Sequence, residues 1–92
     1  MADAAVLARA CAILHAQRQA VREVRRAYWN CPPATHKMWE IDGWKIVAAF
    51  DHRFDALRDA ERLVGRMRTV AEALACPDAL ARETVLLALG TP

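Results

Sequence analysis

The sequence predicts a small, mainly helical α+β domain, of order αββαα, in which a short β-hairpin separates the first two of three helices. Alanine and arginine, which favour helix, are frequent among the 92 residues. Long stretches repeat apolar residues at helical spacing, and Asp42-Gly43 is the dipeptide most typical of a two-residue hairpin turn. The alternative is an all-α helical bundle in which the hairpin residues join the second helix.

Length and composition predict one soluble domain over residues 1–92. Hydrophobic residues make up 55% and charged residues 26%, which is typical of a globular chain rather than a disordered one. The net charge of +2 permits an acidic partner without requiring one. The sequence shows no signal pattern and no run of about 18 apolar residues, and its three cysteines lack CxxC spacing. We therefore expect a cytoplasmic protein with reduced thiols, no membrane contact and no cofactor.

The first helix is predicted over residues 3–29, with Asp3 as its N-cap. Its broad apolar stripe has one polar member and should pack against the second helix. The stripe consists of Val6, Leu7, Ala10, Ile13, Leu14, Gln17, Val21, Val24 and Tyr28. Cys31-Pro32-Pro33 ends the helix, because proline cannot donate a backbone hydrogen bond and restricts the residue before it.

The hairpin is predicted over residues 37–47, with its turn at Asp42-Gly43. A type I′ turn needs positive φ at both central residues, which Asp-Gly tolerates. Glu40 then faces Lys45, a charge pair worth up to about 1 kcal/mol. The large apolar residues share one face of the hairpin: Trp39, Ile41, Trp44 and Ile46. In a rival interpretation, Asp42 caps a helix that runs from Gly43 onward.

The second helix is predicted over residues 51–75, with Asp51 as its N-cap and a charged outer face that is solvated. Cys76-Pro77 ends this helix, and Asp78 is the expected cap of a third helix over residues 78–89.

The predicted third helix is apolar on nearly all sides. Such a helix is either fully buried or shared with another chain. The sequence therefore suggests a homodimer contact through Val85, Leu86 and Leu89.

A basic ridge lies beside the apolar stripe of the first helix. It consists of Arg18, Arg22, Arg25 and Arg26, with Trp29 in line. A solvated helix face explains these charges, and so does a surface that meets carboxylates or phosphates. Trp39 and Trp44 are either core residues or exposed anchors for a partner.

Candidate chemistry is sparse. His52 lies between Asp51 and Asp55, but no nucleophile is near in sequence and both aspartates have structural explanations. Cys31 and His36 lack the paired spacing of a zinc site. We therefore expect neither catalysis nor a bound metal.

The sequence thus predicts a non-enzymatic protein-interaction module, such as a small regulatory or inhibitory protein that binds a macromolecular partner. The arginine ridge and the hairpin aromatics supply the expected contacts: Arg18, Arg22, Arg25, Arg26, Trp29, Trp39, Trp44 and Lys45. The alternative function is a sequence-nonspecific, dimeric nucleic-acid-binding accessory protein whose basic residues contact phosphates.

Overall fold

The computed structural model describes residues 2–30 and 43–90, which fold into four helices. Their bounds are α1 Asp3–Trp29, α2 Trp44–Arg66, α3 Val70–Leu74 and α4 Ala79–Gly90. The described ranges contain no strand, and none of their helices is both long enough and apolar enough to cross a bilayer. The principal extents are 51 × 24 × 18 Å, and α1 sets the longest of them, because 27 helical residues span about 40 Å.

The predicted β-hairpin is wrong in the part that the structure describes. Trp44 opens α2, so the expected second strand is helix, and Gly43 has φ −58° and ψ −39°. These angles lie in the right-handed helical region, whereas a type I′ turn requires positive φ. Each residue added to an existing helix gains a backbone hydrogen bond, whereas a lone two-stranded hairpin is marginal in water. The αββαα class is therefore replaced by a helical one, and the expected first strand, with Trp39, lies outside the described residues.

The helix predicted to continue to residue 75 is interrupted after Arg66. Met67 is extended, with φ −80° and ψ 147°, and α3 begins again at a cap on Thr69. The Thr69 side-chain oxygen accepts a hydrogen bond from the backbone N–H of Glu72 at 3.2 Å. The Glu72 carboxylate in turn accepts from the backbone N–H of Arg68 at 3.4 Å. Thr-x-x-Glu is the capping-box pattern, so the sequence did contain a signal for this new start.

Two aspartates expected as N-caps make tertiary contacts instead. Asp3 is the first residue of α1, and its Oδ2 accepts a hydrogen bond from the backbone N–H of Val70 at 3.2 Å, which joins the starts of α1 and α3. Asp51 lies inside α2 and pairs with Arg25 of α1. The cap predicted at Asp78 is confirmed, because its Oδ1 accepts from the backbone N–H of Ala81 at 3.0 Å.

The hydrophobic core lies at one end of the molecule, where α3 and α4 cover the N-terminal half of α1 and the C-terminal half of α2. The two long helices supply seven of its buried residues: Val6, Leu7, Ala10, Leu14, Leu57, Ala60 and Val64. The remaining five are Ala73, Cys76, Ala81, Val85 and Ala88. Burial of apolar surface is therefore the main stabilising term at this end.

The other end is a two-helix arm, formed by residues 17–29 of α1 and 44–56 of α2. None of its described side chains is fully buried. Ring contacts help to hold the two helices together: Tyr28 meets Phe50 edge to face, with centroids 6.1 Å apart. Among residues 2–30 and 43–90, no third layer covers the arm as α3 and α4 cover the core end.

A substitution at Gly65, near the end of α2, tests how helix propensity contributes to stability. A β-carbon added there meets no atom within 4 Å, and the φ of this residue is not positive. Gly65→Ala should raise the free energy of unfolding by about 0.5–1 kcal/mol, because alanine has less backbone entropy to lose on folding. Urea unfolding followed by circular dichroism measures the change. Gly90→Ala, at the end of α4, is the control and should gain less; a loss of stability in Gly65→Ala would contradict the helical geometry at that position.

Candidate functional site

The arginine ridge lies along the arm and faces aromatic side chains. The guanidinium carbons of Arg18 and Arg22 lie 5.7 Å and 5.6 Å from the ring centroid of Phe54 on α2. The guanidinium of Arg25 lies 5.8 Å from the ring of Trp29. A cation over an aromatic face gains about 0.5–1 kcal/mol at an exposed site. These rings therefore hold the arginine side chains against the helix pair.

Two arginines of the ridge are balanced by carboxylates of α2. Arg18 Nη2 lies 3.2 Å from Glu61 Oε2, and Arg25 Nε donates to Asp51 Oδ1 at 2.8 Å. The antiparallel pairing of the helices produces this match. Arg25 comes later in α1 than Arg18, and its partner Asp51 comes earlier in α2 than Glu61. The positive charge of Arg18 and Arg25 is thus largely neutralised within the pair of long helices.

Arg22 and Arg26 differ from their neighbours. Within residues 2–30 and 43–90, neither has a carboxylate partner. They lie one helical turn apart, a spacing that puts their β-carbons about 6 Å from each other. The exposed charge of the ridge is therefore concentrated in this pair.

These side chains line a groove of about 380 Å³, called here the arginine groove. Its lining residues are Val21, Arg22, Arg25, Arg26, Trp29, Asp51 and Phe54. Its volume lies within the range of small-ligand pockets. A guanidinium that rests on a ring keeps its N–H edge available, and that edge matches a carboxylate or phosphate through two parallel hydrogen bonds. The groove therefore combines apolar walls with anion-binding donors.

Not every predicted contact residue lies in the arginine groove. Arg18 lies over the ring of Phe54 and pairs with Glu61, but it does not line the groove. Lys45 is exposed on α2 and is also outside the lining. Trp44 is the first residue of α2, but its side chain, like all of Trp39, lies outside the described part of the structure. The structure thus brings together Arg22, Arg25, Arg26 and Trp29.

Sequence reasoning missed Phe54 and Asp51 as members of the site. Both are presented to α1 because α2 already runs as helix from Trp44. The rival interpretation of the Asp42-Gly43 region as a helix start was the signal that could have found them, since it places both residues inside a helix facing the ridge.

The predicted dimer contact on the last helix needs a correction. Val85 is 0% exposed and belongs to the core, so it cannot contact another chain. Leu86 and Leu89 are about half exposed. α4 is apolar on two sides. The side with Val85 packs in the hydrophobic core of the same chain, and the side with Leu86 and Leu89 is exposed.

In the part of the chain that the structure describes, the remaining candidate residues form no catalytic or metal-binding cluster. His52 is exposed on α2, while its neighbour Asp51 is engaged by Arg25. Within the described ranges, no group of three or more His, Cys, Asp or Glu side chains is placed to hold a metal ion. Cys31 and His36 lie outside those ranges.

The reactivity of the Cys11 thiol can be measured and tests the packing of α1 against α2. Cys11 is partly buried on α1, and its Sγ lies 3.9 Å from the backbone oxygen of Glu61. Burial and then the charge of Glu61 raise the pKa of the thiol, because both disfavour the thiolate. In a chain with Cys31→Ser and Cys76→Ala, Cys11 should react with an aromatic disulfide reagent more slowly in the folded protein than in urea at the same mildly alkaline pH. Glu61→Gln should raise the folded rate; equal rates in folded and unfolded chains would contradict this account.

Comparison of the chain with protein-family models, with curated proteins and with solved structures finds no significant match. The function is therefore inferred from the surfaces of the molecule.

Proposed function

We propose that this protein is a non-enzymatic interaction module that binds an acidic segment of a protein partner in the arginine groove. The observation that supports it is the pair Arg22 and Arg26, whose charges are balanced by no carboxylate in the described part of the chain. Trp29 stands beside them with 45% of its surface exposed. A small regulatory or inhibitory protein would use such a surface to occupy an acidic site on its target.

The side chains of the arginine groove suit tight contact with a protein. Tryptophan and arginine are the residues most enriched among interface hot spots. The Arg22 guanidinium already rests on Phe54, so little of its conformational freedom remains to be lost on binding. The Arg25–Asp51 pair holds the neighbouring wall in place. A partner carboxylate can therefore enter a site that is largely formed beforehand.

The charge distribution favours a protein partner over the phosphate backbone of a nucleic acid. Proteins that bind nucleic acid through phosphates neutralise several of them along a continuous basic surface. Here Arg18 and Arg25 are paired with carboxylates, and Arg58 of α2 lies between Asp55 and Asp59. The positive surface along the arginine ridge is thus short and interrupted by acids.

Charge reversal in the arginine groove tests the proposed function. The variant Arg22→Glu with Arg26→Glu should lose its partner in a nuclease-treated pull-down from the source cell. The expected loss is about tenfold or more, because two attractive contacts become repulsive. Arg62→Glu with Arg66→Glu makes the same charge change at the same spacing on exposed α2 positions and serves as the matched control. Retention of every partner by the groove variant, or equal loss in both variants, would exclude the groove as the contact.

The alternative function has a separate readout. Duplex and single-stranded oligonucleotides mixed with the purified chain at low salt should give no gel shift. A complex that forms at low salt and weakens steeply as salt rises would show phosphate binding and would replace the protein partner in our proposal.

A further inference from the structure

Asp51 is an acid in a groove whose other charged residues are arginines. Among the described residues, the lining contains Arg22, Arg25 and Arg26 but only this one carboxylate. Asp51 lies on α2, while the three arginines lie on α1. Its Oδ1 accepts a hydrogen bond from Arg25 Nε at 2.8 Å, and its side chain remains 55% exposed. A ligand that enters the arginine groove therefore meets this negative charge as well as the positive ones.

The Arg25–Asp51 ion pair changes the charge that the groove presents. Asp51 balances Arg25, so the exposed positive charge of the lining comes from Arg22 and Arg26. A half-exposed ion pair contributes little to stability. Its larger effect is on ligands, because a like charge held close to an anion opposes binding.

Without this carboxylate, the arginine groove would resemble a site for a single nucleic-acid strand. Such sites combine several cations, which follow the backbone of the strand, with aromatic side chains on which bases stack. Here three arginines lie beside Phe54 and beside Trp29, which is 45% exposed. Asp51 is thus the residue that distinguishes the groove from a general site for anions.

Nucleic acids and proteins differ in how they can accommodate Asp51. Every nucleotide of a strand carries a phosphate, so a strand that lies along the groove brings negative charge close to this carboxylate. A protein segment can place carboxylates at Arg22 and Arg26 and a neutral or hydrogen-bond-donating side chain opposite Asp51. The carboxylate therefore weakens the binding of a nucleic acid more than the binding of a suitable protein segment.

We infer that Asp51 determines the specificity of the arginine groove, because it excludes nucleic acid from a surface that binds acidic segments of proteins. This role of Asp51 rests on the proposed function and explains how the groove selects its class of partner. Specificity of this kind needs a repulsive element beside the attractive ones. The partner segment should then carry a neutral or hydrogen-bond-donating residue next to its acids, at the position that meets Asp51.

Binding of a fluorescently labelled oligothymidylate to the full chain at low salt, measured by fluorescence anisotropy, tests this role. We expect Asp51→Asn to bind about tenfold or more tightly than the unchanged chain, because the charge of Arg25 is no longer balanced. With three arginines on phosphates, the logarithm of the binding constant should fall against the logarithm of the salt concentration with a slope of about −2. Asparagine keeps the size of the side chain and an oxygen that accepts from Arg25, so circular dichroism should show unchanged helix content.

Two variants serve as controls. Asp55→Asn makes the same charge change four residues further along α2. The Asp55 side chain is 56% exposed and paired with Arg58, but it does not line the groove, so this variant should bind the strand as weakly as the unchanged chain. Arg25→Gln added to Asp51→Asn restores the net charge of the chain and should return the affinity to that of the unchanged chain.

The outcomes separate the role of Asp51 from the proposed function. Equal binding by Asp51→Asn and Asp55→Asn, or tight binding that persists when Arg25→Gln is added, would overturn the role of Asp51. The proposed protein contact would then stand, since the pull-down with Arg22→Glu and Arg26→Glu tests it separately. A strand that binds the unchanged chain as tightly as it binds Asp51→Asn would overturn both, because the groove would then accept phosphates with its carboxylate in place.

Discussion

The antiparallel pairing of α1 and α2 is the constraint on which the rest of the molecule depends. At one end, α3 and α4 add a third layer, and the pair is stabilised by buried apolar side chains. On the arm, the same pair is held by cation–aromatic contacts and by the half-exposed Arg25–Asp51 bridge. Contacts of these kinds are worth about 1 kcal/mol or less each. The arm is therefore the less stable end, the part of a fold from which binding surfaces are usually drawn.

Stability and binding are coupled in the arm, because the same residues serve both. Phe54 supports Arg22 in the arginine groove and also holds Arg18 against α2. Arg25 bridges the two helices through Asp51 and covers Trp29. A ligand that binds these side chains only in their folded arrangement stabilises the helix pair by mass action. A ligand in the arginine groove would thus stabilise the pairing of α1 and α2 in the arm, where the contacts between the two helices are weak.

Much of the fold was predictable where the signal was long and periodic. The stripe of α1 correctly placed Val6, Leu7 and Leu14 in the core, and the Asp78 cap followed from local chemistry. The end of α2 was missed because the apolar period continues past Arg66, so two segments that both face the core resemble one helix. The sequence could not predict which arginines of the ridge are paired with carboxylates. That pairing depends on which carboxylates of α2 lie opposite each arginine in the antiparallel helix pair.

The hairpin prediction is wrong from Gly43 onward, and the early start of α2 there determines which side chains form the arginine groove. With positive φ at Gly43, the following residues would form a strand and Asp51 would begin a helix as its cap. With φ −58°, the helix starts at Trp44, Asp51 moves into its interior opposite Arg25, and Ile46 joins the side that continues from Val64. A local preference of Asp-Gly for a turn is worth little against several added helical hydrogen bonds and the packing of Phe50 on Tyr28. The long-range pairing of two helices therefore overrides the local turn signal at Gly43, and the arginine groove depends on that pairing.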